Sequence, residues 1–172
     1  TFTICKLSDL SFITTKKLCE EKVRTIEISN ERNEMAVSTG DGSIFIFDLS
    51  SFEEKYKFTA HKLSVNAIKF HPNCNYLLSG GRDAHLRIWD ANDDFKLIKE
   101  IHAHNFAIYS KVFSPAKKYV ATGSRDKSIK TWDAQTFDMQ KVMSTEKSAS
   151  NRNSINKLIG SEDRDTLGRA HV

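Results

Sequence analysis

Two stretches, SGGRDAHLRIWD at 79–90 and TGSRDKSIKTWD at 122–133, are copies of one pattern. Both end in Trp-Asp, and Trp89 precedes Trp132 by 43 residues. The stretch STGDGSIFIFD places Phe47 at 42 residues before Trp89, and Cys5 lies a further 42 residues back. A step of this size, repeated along the chain, indicates an array of similar structural units rather than one irregular domain.

One unit of this array has the pattern of four short β-strands. Over 61–101, the segments VNAIKF, NYLLSG, HLRIW and FKLIKEI are separated by turn-forming residues, which predicts an all-β structure. In the third segment Leu86 and Ile88 alternate with Arg87, the pattern of a strand with one apolar face. The nearest candidate for a helix, around 138–147, falls in the repeat frame on an outer strand and a loop.

With these motifs the chain resembles the WD-repeat β-propeller family, over residues 1 to about 160. The resemblance implies four-stranded antiparallel blades arranged around a central channel. A closed ring needs about 4–8 blades, whereas this chain holds three complete repeats and two partial ones. We therefore expect an all-β propeller fragment, from the C-terminal part of a larger propeller.

Polar side chains recur in step with the repeat and look at first like hydrolase triads. A catalytic site is needed once, however, and this set appears twice at the repeat spacing. The resemblance implies instead a structural tetrad in each blade, in which His, Ser or Thr, Asp and Trp satisfy one another's buried polar groups. The expected tetrads are His61, Ser79, Asp83 and Trp89, and His104, Thr122, Asp126 and Trp132.

The repeat before these two has a degenerate tetrad. Cys19 and Phe47 stand in its His and Trp columns, and Ser38 or Thr39 could supply its hydroxyl group. We therefore expect its network to be absent or reduced, and we predict no catalytic residue anywhere in the chain.

The repeat frame divides the chain into six segments. The segments are the last two strands of a preceding blade (1–17), the degenerate blade (18–59), two WD-repeat blades (60–102 and 103–143), a polar loop (144–153), and the start of a further blade with a truncated or disordered tail (154–172). The partial blades at the two ends hold complementary strands, so we also expect that the fragment can self-associate.

Binding is expected on the top face of the blades, where the resemblance places three residue columns per repeat. Arg and Tyr are frequent anchors of binding hot spots, and an Arg fork suits a carboxylate. The alternative for each Arg is a solvated turn charge. We predict protein or peptide partners, possibly acidic, for the candidates Lys22, Arg24, Gly40, Ser64, Asn66, Arg82, Ala107, Tyr109, Arg125, Ser154 and Asn156.

Composition and short motifs argue against nucleic-acid binding, a membrane span and a metal or cofactor site. The formal net charge is +4, and no run of five basic residues marks a nucleic-acid site. No apolar segment is long enough to span a membrane, and we expect a cytoplasmic or other intracellular location. Cys5, Cys19 and Cys74 form no Cys-x-x-Cys motif, so we expect small buried thiols, and the pair His102 and His104 lacks a third ligand. No metal or cofactor is predicted.

Three functional classes follow from this reading. The first is a non-enzymatic protein-interaction scaffold. The second is a propeller module of a larger enzyme or regulatory complex, and the third is nucleic-acid contact through basic surface.

Overall fold

The computed structural model describes residues 1–6, 8–144, 154–160 and 167–170, the last of these as backbone only. These ranges contain strands and turns and no helix, so none of their segments is a helix able to cross a membrane. The strands are β1 Phe2–Cys5, β2 Phe12–Lys16, β3 Val23–Ser29, β4 Glu34–Thr39, β5 Ser43–Asp48, β6 Glu54–Thr59, β7 Val65–Phe70, β8 Tyr76–Gly81, β9 His85–Asp90, β10 Lys96–His102, β11 Ile108–Phe113, β12 Tyr119–Ser124, β13 Ser128–Asp133, β14 Met139–Ser144, β15 Lys157–Gly160 and β16 Leu167–Ala170.

Twelve of these strands form three antiparallel sheets of four consecutive strands each. We call them blade 1 (β3–β6), blade 2 (β7–β10) and blade 3 (β11–β14). The first strands of successive sheets, β3, β7, β11 and β15, lie next to one another, so the sheets are arranged radially with these strands innermost. The all-β fold of four-stranded antiparallel blades predicted from the sequence is confirmed.

The blades are held together by apolar side chains between their faces. One cluster joins Ile44 and Ile46 of blade 1 to Leu77 and Trp89 of blade 2. A second cluster fills the space between blades 2 and 3 in the same way. Every residue of β4 is buried because neighbouring sheets cover both of its faces.

Two shorter sheets flank the three blades. Strands β1 and β2 pair with each other, and Phe2 packs against Phe47 of blade 1 with ring centroids 5.5 Å apart. At the other end β15 lies beside β11 and pairs with β16. The sequence predicted the inner strand β15 but a truncated or disordered tail after it. The structure places a second strand there, because backbone pairing with β15 supplies its hydrogen bonds without a long apolar segment.

The cysteines differ from the expectation of small buried thiols. Cys5 is exposed, and Cys19 and Cys74 are only half-buried. Cys5 occupies the Trp column on β1, but the described sheet around it has two strands, so no complete blade covers it. The predicted polar loop at 144–153 lies outside the described residues except for the end of β14.

Candidate functional site

In blade 2 the four predicted tetrad residues form one hydrogen-bonded chain. Asp83 Oδ1 lies 2.8 Å from His61 Nδ1, and His61 Nε2 lies 2.7 Å from Ser79 Oγ. Trp89 Nε1 donates to the same Ser79 oxygen at 2.9 Å. A carboxylate only accepts, so His61 Nδ1 carries the proton, and the Ser79 hydroxyl then donates to Nε2. Every polar group of the set thereby has a partner.

Blade 3 repeats this geometry. Asp126 Oδ2 lies 2.9 Å from His104 Nδ1, and His104 Nε2 lies 2.8 Å from Thr122 Oγ1. Trp132 Nε1 donates to Thr122 Oγ1 at 2.9 Å. Equivalent contacts 43 residues apart show that the arrangement belongs to the repeat rather than to one reaction centre.

Burial and hydrogen bonding shift the pKa of His61, Asp83 and Asp126. Burial lowers the pKa of His61, against the opposing effect of Asp83, so this imidazole is neutral and can act as donor and acceptor at once. Burial alone would raise the pKa of Asp83, but hydrogen bonds from His61 and Arg87 bring it well below its usual value. Asp126 behaves alike: burial opposes the shift, and bonds from His104 and Ser128 lower its pKa.

Sequence reasoning missed the residues that support the two carboxylates. Arg87 is buried, donates to Asp83 Oδ2 at 2.8 Å, and contacts Glu100 through its Nε at 2.6 Å. In blade 3 a shorter side chain serves instead, with Ser128 Oγ at 2.6 Å from Asp126 Oδ1. The alternation in HLRIW could not reveal this role, because the face that carries Arg87 is covered by blade 1.

Blade 1 has apolar contacts where the other blades have a tetrad. The strand register aligns Val37, rather than Ser38 or Thr39, with Ser79, so the hydroxyl column is apolar. Val37 and Phe47 are buried together in one cluster. Ser38 and Thr39 bond elsewhere, to Val65 O at 3.0 Å and to Asp41 Oδ1 at 2.6 Å.

The top-face candidates lie where a recurrent backbone contact joins two turns. In blades 1, 2 and 3 the residue before the turn Asp donates its amide to the turn before the innermost strand: Gly40 to Lys22, Arg82 to Ser64, and Arg125 to Ala107. Two of the three columns therefore meet in blades 1, 2 and 3. Side-chain oxygens of Ser64 and Asn66 lie 3.0 Å apart, as do those of Ser154 and Asn156 beside β15.

A β-bulge occurs at the same place in the innermost strand of each of the three four-stranded blades. The register shifts between Val23 and Thr25, between Val65 and Ala67, and between Ile108 and Ser110. A bulge leaves one residue outside the ladder and changes the direction of its side chain. The residues so displaced are the candidates Arg24, Asn66 and Tyr109.

The structure brings four of the candidates together around one cavity. It has a volume of about 300 Å³ between blades 2 and 3, and Arg82, Ala107, Tyr109 and Arg125 line it. The sequence did not single out its other main wall, Phe106, which is 56% exposed and lies 6.0 Å from the Arg125 guanidinium. Arg24 lies instead beside Gly40. The lining of this cavity does not include Lys22, Arg24, Ser64, Asn66 or Asn156.

The geometry thus defines blades of a β-propeller, and comparison with known proteins agrees. The family model "WD domain, G-beta repeat" matches residues 52–90 and 95–133. A solved structure of RRP9 WD40 repeats superposes with a TM-score of 0.79 and 16% identity over 90% of this chain and 46% of that one. Two repeats of this chain thus match the WD-repeat family model, and its fold is that of a WD40-repeat structure.

Curated relatives match over part of their length. The probable cytosolic iron-sulfur protein assembly protein 1 of Eremothecium gossypii is 30% identical over 51% of this chain and 27% of its own. The small ribosomal subunit protein RACK1 of Neurospora crassa is 32% identical over 56% of this chain and 33% of its own. The matched region thus covers about a third or less of either relative.

Proposed function

We propose that this chain is a non-enzymatic interaction scaffold that binds an acidic peptide or protein loop on its top face, in the cavity between blades 2 and 3. WD-repeat propellers are in general protein-interaction scaffolds. The observation that carries the finer proposal is the convergence of Arg82, Arg125, Tyr109 and Phe106 on one cavity. A cytoplasmic location is part of the proposal, because one relative is named as cytosolic.

The chemistry of this cavity suits a short acidic segment. Arg82 and Arg125 come from adjacent blades and are exposed, so one extended ligand can pair with both guanidinium groups. Phe106 and Tyr109 offer aromatic surface between them for an apolar side chain. The net charge of +4 favours an anionic ligand further.

The tetrads support a structural rather than a catalytic role. The Ser79 side chain is 0% exposed, and its oxygen is held between the Trp89 indole and the His61 ring. A nucleophile must reach its substrate, and this one is enclosed. We expect no labelling of Ser79 by a fluorophosphonate, and stoichiometric labelling would overturn the non-enzymatic assignment.

A peptide-display selection tests the binding proposal. The whole chain is immobilised, and the selected peptides are measured individually by fluorescence anisotropy. We expect enrichment of acidic peptides, and we expect Arg82→Ala and Arg125→Ala each to weaken binding by about 1.5–3 kcal/mol, the range for a charged hydrogen bond.

A matched control uses basic residues outside the cavity. Lys117→Ala and Lys118→Ala remove the same charge from residues that line a different cavity, with His71 and Asp133, and should leave binding unchanged. Equal binding by the wild type and both Arg variants would refute the assignment. A single-stranded oligonucleotide that bound better than the peptides, with a steep salt dependence, would favour nucleic acid instead.

A further inference from the structure

Two histidines lie side by side on neighbouring strands of blade 2. His85 begins β9, His102 ends β10, and the two are direct cross-strand partners. Their ring centroids are 5.1 Å apart. The Ala103 amide donates to Ala84 O beside them, which makes this a non-hydrogen-bonded pair, the kind in which opposite side chains approach most closely.

A backbone contact fixes the tautomer of one ring. His85 Nδ1 lies 2.7 Å from the carbonyl oxygen of Asp83. A carbonyl oxygen only accepts, so Nδ1 carries the proton and Nε2 has a free lone pair. Metal-binding histidines have this arrangement, since their second ring nitrogen usually donates to a carbonyl or carboxylate oxygen.

We propose that His85 and His102 form a two-histidine site for a divalent transition metal ion, with Cu²⁺ bound more tightly than Zn²⁺. Two imidazoles suit copper, nickel and zinc, whereas calcium and magnesium prefer oxygen ligands. The order of Cu²⁺ over Zn²⁺ follows the general affinity series for divalent ions.

The described residues around the pair add no further protein ligand to His85 and His102. Among the described residues there is no group of three or more His, Cys, Asp or Glu that could hold a metal. Glu100, two residues before His102, is held by Arg87 through its Oε2. The ion therefore keeps positions open to water. His85 is 28% exposed in its side chain and His102 is exposed, so both rings are accessible.

The sequence offered no signal for this pair. Seventeen residues separate the two histidines, and their meeting depends on the register of β9 with β10. In the sequence His102 stands beside His104, whose two ring nitrogens are occupied within the blade 3 tetrad. His102 also lines the cavity of the proposed peptide site, so the two proposed sites are neighbours, but the metal proposal rests on the histidine pair alone.

Copper and zinc titrations of the 172-residue chain test the proposal. Electron paramagnetic resonance with Cu²⁺ should show imidazole nitrogen coupling at one ion per chain, and calorimetry with Zn²⁺ should give a weaker site of the same stoichiometry. His85→Gln and His102→Gln should each weaken Cu²⁺ binding by about tenfold or more, in line with the loss of a coordinating interaction.

His171→Gln provides the matched control, because it removes a histidine from outside the pair and should change nothing. Circular dichroism confirms folding of each variant, and the exposed His102 alone decides the test if His85→Gln fails to fold. Copper binding that survives the His102 substitution, or that is lost with His171, would overturn the proposal.

Discussion

Lys111 occupies a position where lysine is costly. It lies on the innermost strand of blade 3, and the strand register aligns it with Ile68 of blade 2 and Ile26 of blade 1. Lys111 is 7% exposed, and its Nζ is buried with no hydrogen-bond partner among the residues that the structure describes. We predict that Lys111→Met, which keeps the length of the side chain and removes the amine, stabilises the protein.

The magnitude follows from the cost of a buried, unpaired polar group. Such a group costs about 1–3 kcal/mol, and replacement by an apolar group of similar shape removes that cost. We therefore expect the free energy of unfolding to rise by about 1–3 kcal/mol. The methionine sulfur would lie in an interface already lined by apolar residues of blades 2 and 3.

The gain should depend on pH in a defined direction. Burial lowers the pKa of Lys111 well below its usual value, Glu27 opposes this shift, and Lys69 adds to it. The unfolded chain therefore binds the proton more tightly than the folded chain, so wild-type stability rises with pH up to the unfolded pKa of about 10.4. The advantage of Lys111→Met is accordingly largest at low pH and shrinks as the pH approaches that value.

Urea unfolding of both proteins at several pH values measures this difference. Lys69→Met is the matched control, since Lys69 is paired with Glu27 at 2.7 Å and its side chain is 40% exposed. We expect that control to destabilise, because Glu27 loses its partner. A Lys111→Met protein that is less stable than wild type, or a difference that does not change with pH, would refute the reasoning.

Three further predictions concern the tetrads and the sheet faces. Trp89→Phe removes the indole donor to Ser79 and should lower stability by about 1–3 kcal/mol, and an unchanged denaturant midpoint would count against the network. Because the folded pKa of Asp126 is depressed, its stabilising effect is present above the unfolded pKa of about 3.9 and is lost as the pH falls through the folded value. Asp126→Asn should therefore reduce the loss of unfolding free energy at acid pH. A variant whose unfolding free energy falls as steeply with acid as that of the wild type would contradict this. Ile26 and Ile28 are 44% and 52% exposed on β3, so the 172-residue chain should associate in sedimentation experiments. A monodisperse monomer would show that these exposed apolar side chains do not drive association.

Most of the fold could be predicted from the period of the repeat. Trp89 and Trp132, with the strand and turn pattern between them, predicted the blades because a column that recurs every 42 or 43 residues must serve the same packing role each time. The tetrads were also predictable, since buried polar groups need partners and the same four residue types recur. Blade 1 was harder, because Val37 entered the hydroxyl column by a register that spacing alone does not reveal.

Residues outside the repeated columns could not be predicted in this way. Arg87, Ser128 and Lys111 stand in three different columns of the repeat. Each is replaced by another residue type in the neighbouring blade, by Lys130, His85 and Ile68 respectively, so no recurrence marks them. The His85 and His102 pair depends on a cross-strand register that is itself a consequence of the fold. Such contacts follow from three-dimensional pairing rather than from sequence pattern.

The bulges explain why the repeated surface can still be specific. In each of the three four-stranded blades the innermost strand displaces one residue from its ladder at the same point, so the fold presents a position there without dictating its side chain. Arg24, Asn66 and Tyr109 fill that position in turn. Since ladder pairing does not constrain these residues, the blades can differ in charge and shape at the top face while their cores stay alike. Only between blades 2 and 3 do the described residues combine an aromatic bulge residue with two Arg and Phe106, and this difference between equivalent positions favours that cavity as the binding site.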